Sequence, residues 1–191
     1  MNLTLASTSP FRKAILDKLG VSFDTASPET DETALENETP QELVERLSIA
    51  KAKAIADKTS GSLVIGSDQV SVIDGEIIGK PHTHENAVKQ LQNASGKTVT
   101  FYTGLCLYNA TTQQYQSDVV PFNVVFRKLS DKQIENYLKK EEPYNCAGSF
   151  KSEALGIVLF EKLEGDDPNT LMGLPLIRLV KMLEQENYFI L

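Results

Sequence analysis

The chain lacks the cysteine pattern of a disulfide framework or of a zinc knuckle. It has only two cysteines, Cys106 and Cys146, which are 40 residues apart in a sequence of 191. We therefore expect two free thiols. The opening residues, MNLTLASTSPFRK, also lack a basic start followed by a long apolar run, and no stretch approaches the length needed to span a bilayer. These absences predict a cytoplasmic protein with no membrane partner.

An excess of positive charge is missing as well. The formal net charge is −7, so we expect no nucleic-acid partner. The 19 lysines and arginines can still form a local cluster, which leaves room for a small anionic substrate. Apolar residues make up 41% and charged residues 24% of the chain, as in an ordinary globular protein. The length suits one domain over residues 1–191, or two small lobes.

Several catalytic motifs are absent. The sequence contains no nucleophile elbow, no glycine-rich dinucleotide fingerprint and no EF-hand loop. His82 and His84 do not form the zinc-peptidase motif, because position 88 is Val. The remaining candidates are dispersed cations and carboxylates. Such groups suit metal-assisted phosphoryl chemistry, where positioning and charge neutralisation dominate.

The residue patterns predict an α/β protein with a mixed sheet, about six strands and five helices. Strands are predicted at 3–6, 63–67, 98–108, 114–126 and 156–163, with a hairpin at 70–78. Predicted helices begin at the caps Ser9, Thr39, Thr83 and Ser130, and a last helix begins near Pro175.

The turn between the first strand and the first helix is a candidate anion site. Free N–H groups and the helix dipole favour negative charge there, and Ser7, Ser9, Arg12 and Lys13 would add donors. The alternative is a capped surface helix whose basic residues are solvated.

Asp68 directly follows the apolar run 63–67. A carboxylate at the end of a buried strand can bind a metal or act as a general base, and the alternative is a cap on the next loop. Lys80, in Gly79-Lys80-Pro81, could present an ammonium group to a phosphate, although this is not a P-loop and an exposed loop lysine is the alternative.

Two loops complete the set of candidates. The segment 146–153 suits a binding loop and equally a plain connection. The segment 166–175 is rich in turn formers and apolar anchors, which predicts a structural loop that packs the last helix.

Eight short segments, taken in order, resemble the motifs of the Maf family over nearly the whole chain. The matching segments are Leu5-Ala6-Ser7-Thr8-Ser9-Pro10-x-Arg12, Asp31-Glu32, Ala50-Lys51-Ala52, Ile65-Gly66-Ser67-Asp68, Gly79-Lys80-Pro81, Thr103-Gly104, Ala147-Gly148-Ser149 and Asn169 to Pro175.

The resemblance implies a pyrophosphatase that splits nucleoside triphosphates between the α and β phosphates. It implies a twisted mixed sheet with flanking helices, in two lobes around a deep cleft, of the Maf/ITPase-like kind. It also implies a divalent metal cofactor, Mg²⁺ or Mn²⁺. The implied roles are Asp68 as general base, Ser9, Arg12, Lys51 and Lys80 as phosphate-binding residues, and Glu32 with Asp68 as metal ligands. Lys51 shares a helical face with Leu43 and Leu47, so it could project inward.

One departure concerns specificity. Many Maf members carry Arg-Arg where this chain has Phe11-Arg12, and the combination of Phe11, Gln69 and Glu153 resembles the subgroup that acts on 7-methyl-GTP. Phe11 could stack on the cationic methylated base, and Glu153 could accept hydrogen bonds from the guanine edge. The alternative places Phe11 in the core beside Ile15.

The sequence leaves the exact substrate, the presence of turnover and the oligomeric state open. The substrate could be another modified triphosphate or a pyrimidine triphosphate. The protein could also be a nucleotide-binding regulator of cell division without turnover. A homodimer is compatible with the sequence.

Overall fold

The computed structural model describes all 191 residues and contains seven strands and five α-helices. The strands are β1 Asn2–Leu5, β2 Asp24–Thr25, β3 Ser62–Ile73, β4 Glu76–Ile78, β5 Thr98–Asn109, β6 Gln114–Phe126 and β7 Phe160–Glu164. The helices are α1 Pro10–Asp17, α2 Pro40–Ala56, α3 His84–Ala94, α4 Asp131–Glu141 and α5 Leu176–Gln185. Three short 3₁₀ helices lie at Ala147–Ser149, Leu155–Leu159 and Pro168–Met172.

The strands form one mixed sheet in the order β2-β1-β3-β5-β6-β7, with β4 paired to β3. β1 is parallel to β2 and to β3, whereas β4 is antiparallel to β3 and β7 is antiparallel to β6. The predicted α/β class with a mixed sheet is therefore confirmed. No helix is both long enough and apolar enough to cross a membrane.

The chain divides into two compact units. The first unit comprises Met1–Gln69, Tyr102–Val120 and Asp167–Leu191, and the second comprises Val70–Phe101 and Pro121–Asp166. The first unit therefore contains α1, α2 and α5, and the second contains α3 and α4.

The core of the first unit lies on both faces of β1 and β3, because successive side chains of a strand point to opposite faces. Leu5 and Ile65 pack on one face in a cluster with Leu16 of α1 and Leu179 of α5. Residues of the other face form a cluster with α2, and its members include Ala6, Ala52, Ile55, Val64 and Cys106.

The core of the second unit is built on phenylalanines. Phe150 packs edge-to-face against Phe101, Phe126 and Phe160, with ring centroids 5.6, 5.4 and 5.1 Å apart. Such pairs add stability beyond the area that they bury. This cluster fixes the segment that follows α4, because Phe150 belongs to it.

All four predicted N-caps are confirmed: Ser9, Thr39, Thr83 and Ser130 each accept a hydrogen bond from the first helical turn. The prediction of a strand beginning at Gly156 is wrong, since Leu155–Leu159 is a 3₁₀ helix and β7 begins at Phe160. A Cβ atom on Gly156 would overlap the carbonyl oxygen of Lys151, so the chain turns tightly there. The two-residue strand β2 was not predicted.

Helix α2 lies directly on β3 and β5 at two glycines. A Cβ atom on Gly66 would overlap the carbonyl oxygen of Ser48, and one on Gly104 would overlap the carbonyl oxygen of Val44. Both overlaps involve helix backbone, which cannot move aside as a flexible side chain can. The two glycines therefore set the distance between α2 and the sheet.

We expect Gly104→Ala to lower the free energy of unfolding by about 2 kcal/mol or more, because the added methyl group overpacks this contact. Chemical denaturation followed by circular dichroism measures the change. Gly79→Ala is the control, since nothing lies within 4 Å of its Cβ position and its φ is not positive. Equal stability of the two variants would contradict this account of the packing.

Candidate functional site

A cluster of charged side chains lies in the first unit, on β3, on α2 and on the irregular segment before α2. Lys51 Nζ lies 2.6 Å from Asp68 Oδ1 and 2.7 Å from Glu32 Oε1. Lys51 and Asp68 are buried, with 7% and 8% of their surface exposed. The inward orientation predicted for Lys51 is thus confirmed. One lysine bridges two carboxylates, one buried and one exposed.

The electrostatics of Asp68 reflect two opposing effects. Burial raises the pKa of Asp68 above its usual value, while the charge of Lys51, its hydrogen bond and the charge of Arg12 lower it. Burial disfavours the charged form of a carboxyl group, and a nearby cation favours it. Asp68 is therefore a more basic carboxylate than one in water, and Lys51 limits how far its pKa rises.

The turn between β1 and α1 brings Arg12 into the same environment. Ser9 caps α1 by accepting a hydrogen bond from the backbone N–H of Arg12 at 3.4 Å, and Ser7 Oγ accepts from the N–H of Ser9 at 3.1 Å. Burial lowers the pKa of Arg12, and the charges of Asp68 and Glu32 raise it. Arg12 is thus not the solvated residue of the alternative interpretation.

Lys13 behaves differently from Arg12. Its ammonium group forms an exposed ion pair with Asp17 at 3.1 Å, one turn further along α1. Of the two basic residues in this turn, only Arg12 belongs to the charged cluster.

The segment 166–175 has a second role that the sequence did not predict. The carbonyl oxygen of Gly173 accepts a hydrogen bond from Arg12 Nε at 2.9 Å and also lies 2.9 Å from Ser67 Oγ. The segment packs α5 as well, because Asp167 Oδ2 accepts from the N–H of Ile177 at 2.9 Å. That part of the prediction is confirmed, and the same loop also fixes Arg12.

Gln69 is tied to this loop. Its Nε2 donates to Thr103 Oγ1 and to the carbonyl oxygen of Thr170, both at 2.8 Å, and Thr103 Oγ1 donates to the same carbonyl at 3.1 Å. Both amide hydrogens are therefore engaged within the first unit. No local sequence pattern indicates this arrangement, since the partners are 34 and 101 residues away.

Phe11 lies on the outer side of α1 with 48% of its surface exposed. Its neighbour at the next turn, Ile15, is 2% exposed and belongs to the core. The alternative that placed Phe11 in the core is wrong. A half-exposed ring directly before Arg12 remains available for contact with a ligand.

Lys80 and Glu153, the other predicted site residues, belong to the second unit, and both are exposed. The backbone on either side of Lys80 is fixed by α3: the carbonyl oxygen of Gly79 accepts from Gln90 Nε2, and that of Pro81 accepts from Asn86 Nδ2, each at 3.1 Å. The loop that carries Lys80 is therefore ordered, although the lysine itself faces solvent.

The histidines do not gather with other metal ligands. Both ring nitrogens of His84 have partners, since Nδ1 lies 3.0 Å from Tyr144 Oη and Nε2 lies 3.1 Å from the Glu135 carboxylate. No group of three or more His, Cys, Asp or Glu side chains is arranged around a single point.

The fold and the cluster define a mixed α/β protein with two cations and two carboxylates beside a central strand, a set of groups suited to phosphate chemistry. The chain belongs to the Maf family, whose model, described as Maf-like protein, matches residues 2–186. The family resemblance read from the motifs is thereby confirmed.

A 7-methyl-GTP pyrophosphatase from Colwellia psychrerythraea is 59% identical over 189 residues, covering 99% of this chain and 94% of that protein. Two solved structures are more distant. The Staphylococcus aureus Ham1 protein and a HAM1 protein from Coxiella burnetii are each 16% identical, with TM-scores of 0.46 and 0.48. Each match covers 66% of this chain, and 72% and 73% of the respective neighbours.

We expect Lys51→Met to raise the pKa of Asp68 further, because the charge and hydrogen bond of Lys51 both lower it. NMR titration of the Asp68 carboxyl carbon in the metal-free protein measures the shift. Lys53→Met is the matched control, since Lys53 lies on the same helix and forms an exposed ion pair with Asp57. An unchanged Asp68 titration in Lys51→Met would contradict the coupling.

Proposed function

We propose that the protein is a metal-assisted nucleotide pyrophosphatase that hydrolyses 7-methyl-GTP to 7-methyl-GMP and diphosphate. The observation that carries the proposal is the bridge of Lys51 between Asp68 and Glu32. The substrate is supported by the 59% identity to a protein named 7-methyl-GTP pyrophosphatase. Because one family model covers residues 2–186, we treat residues 1–191 as a single Maf-like domain.

The carboxylates of Asp68 and Glu32 suit a divalent cation. One oxygen of each lies within 2.7 Å of the same nitrogen, so the two groups converge. Mg²⁺ and Mn²⁺ favour oxygen ligands, and Mg²⁺ is commonly held by one or two carboxylates together with substrate phosphates. When bound there, the metal would neutralise phosphate charge and acidify water.

Asp68 is the proposed proton acceptor. Burial raises its pKa, which makes it a better base than an ordinary aspartate, while the charges of Lys51 and Arg12 favour its ionised form. In the reaction, the oxygen of a water molecule forms a bond to phosphorus while the α–β anhydride bond breaks. The proton of that water passes to Asp68, and diphosphate leaves.

The cations and the α1 terminus are proposed to hold the polyphosphate. Arg12 is fixed by its hydrogen bond to Gly173, which lowers the cost of ordering it around a ligand. Ser9 caps the N-terminus of α1, where the helix dipole favours anions. Lys51 would exchange part of its contact with the carboxylates for a phosphate oxygen, and Lys80 would contribute a further charge from an ordered loop.

Recognition of the base is assigned to Phe11 and Glu153. The exposed ring of Phe11 is suited to stack on a cationic 7-methylguanine. The exposed carboxylate of Glu153 can accept hydrogen bonds from the N1–H and the exocyclic amine of guanine. Gln69 acts on specificity through the loop that it holds, because both hydrogens of its amide group are already engaged.

We expect Asp68→Asn to reduce kcat for 7-methyl-GTP by about 100-fold or more, with no loss of fold by circular dichroism. Release of diphosphate and of phosphate is measured separately in the presence of Mn²⁺. The exposed Asp57→Asn is the control and should keep full activity. Undiminished turnover by Asp68→Asn would show that Asp68 is not the proton acceptor.

Two results with the unmodified protein would overturn the proposed reaction. Release of phosphate without diphosphate would contradict the reaction class, and nucleotide binding without hydrolysis would indicate a regulator.

We expect Phe11→Ala to raise KM for 7-methyl-GTP by about 2-fold to 30-fold, the range that a cation–π contact supplies, and to change KM for GTP much less. A panel of 7-methyl-GTP, GTP, UTP and dTTP measures the difference. Phe189→Ala is the control, because Phe189 is an exposed phenylalanine near the C-terminus of the first unit. Better turnover of UTP or dTTP by the unmodified protein would favour a pyrimidine substrate instead.

A further inference from the structure

The side chain of Glu32 is largely exposed and depends on Lys51 for its ion pair. Its side chain is 61% exposed, and its one ion pair is the contact with Lys51 at 2.7 Å. It lies in the segment 31–38, which contains no helix or strand. Since an exposed side chain on an irregular segment loses conformational entropy when it is fixed, something else has to order the segment.

Arg46 of α2 supplies that order. Its Nε lies 2.5 Å from Glu38 Oε1, and its Nη2 donates to Glu38 Oε2 at 2.8 Å and to the carbonyl oxygen of Thr33 at 3.1 Å. A guanidinium group that binds both oxygens of a carboxylate fixes orientation as well as distance. Arg46 therefore binds the segment at two points, at Glu38 near its end and at Thr33 next to Glu32.

The surroundings of Glu38 favour a stable ion pair with Arg46. Its side chain is only 6% exposed, and Oε2 also accepts from the backbone N–H of Leu35 at 2.9 Å. Hydrogen bonding to Arg46 lowers the pKa of Glu38 to about 2, so the pair stays ionised at neutral pH. Exposed ion pairs usually contribute little, but this one is bidentate and its carboxylate is largely covered.

We propose that Arg46 is a positioning residue for the metal site, which fastens the segment 31–38 to α2 and so places Glu32 beside Lys51 and Asp68. The inference rests on the proposed function, in which Glu32 helps to hold the divalent cation. Arg46 and Lys51 are five residues apart on one helix, and that helix is fixed on the sheet at Gly66 and Gly104. The segment and the buried lysine thus share one rigid support.

The first test is made without substrate. In metal-free Arg46→Met, amide hydrogen exchange of the segment 31–38 should rise, while the core of α2 stays protected. The Kd for Mn²⁺, measured by electron paramagnetic resonance, should weaken by about tenfold or more, as for other residues that orient metal ligands. Glu38→Gln, which keeps Arg46 but removes the ion pair, should weaken Mn²⁺ binding in the same direction.

Lys53→Met is the matched control for loss of an ion pair on α2, and it should change neither measurement. If Arg46→Met and Glu38→Gln both bind Mn²⁺ as the unmodified protein does, the proposal is overturned. The same conclusion follows if Lys53→Met weakens binding as much as Arg46→Met, because the effect would then come from the stability of the helix.

A double-mutant cycle with Glu32→Gln shows whether Arg46 acts through Glu32. If it does, Arg46→Met weakens Mn²⁺ binding in the unmodified background and adds nothing in the Glu32→Gln background. Equal weakening in both backgrounds would overturn the positioning role. If Glu32→Gln alone leaves Mn²⁺ binding unchanged, the proposed metal role of Glu32 fails and the positioning role fails with it. If instead Glu32→Gln weakens Mn²⁺ binding and Arg46→Met does not, the metal role of Glu32 stands and only the positioning role of Arg46 fails.

Discussion

The contact between α2 and the sheet is the constraint on which the charged cluster depends. Gly66 and Gly104 let the helix backbone approach β3 and β5 more closely than any side chain would allow. At that distance Lys51 reaches Asp68, two residues after Gly66, at 2.6 Å. A wider gap would leave the buried Asp68 without its cation, and burial of an unpaired carboxylate is costly.

Much of the fold follows from local sequence rules, because caps and strand patterns depend on neighbouring residues. Ser9 and Thr39 were predictable as caps. The prediction that Asp68 follows the end of a strand is wrong, because β3 continues from Ser62 to Ile73 and Asp68 lies within it rather than capping a loop. The family resemblance then assigned roles to Lys51 and Glu32. The contact of Lys51 with both carboxylates exists only once α2 and β3 have packed.

Other parts of the site could not be predicted from local patterns, since their partners are distant in the sequence. Gly173 was assigned only to a packing loop, yet its carbonyl oxygen fixes Arg12, which lies 161 residues away. The ion pair of Arg46 with Glu38 joins α2 to the irregular segment before it, so it depends on how that segment folds back on the helix. The start of β7 was misplaced because the tight turn at Gly156 depends on contact with the backbone of Lys151.

The balance of charge explains how such a cluster can exist before a ligand binds. Arg12 and Lys51 carry two positive charges, and Asp68 and Glu32 carry two negative charges, so the ligand-free site is close to neutral and each buried charge has an opposite neighbour. In the proposed mechanism, a divalent cation placed on the carboxylates would free Lys51 for a phosphate oxygen. The metal would take the carboxylates away from the basic groups, and the polyphosphate would supply the negative charge that those groups then lack. Each ligand would therefore strengthen the binding of the other. The exposed Glu32 is the member of the cluster best suited to this exchange, since it can leave Lys51 without exposing the core.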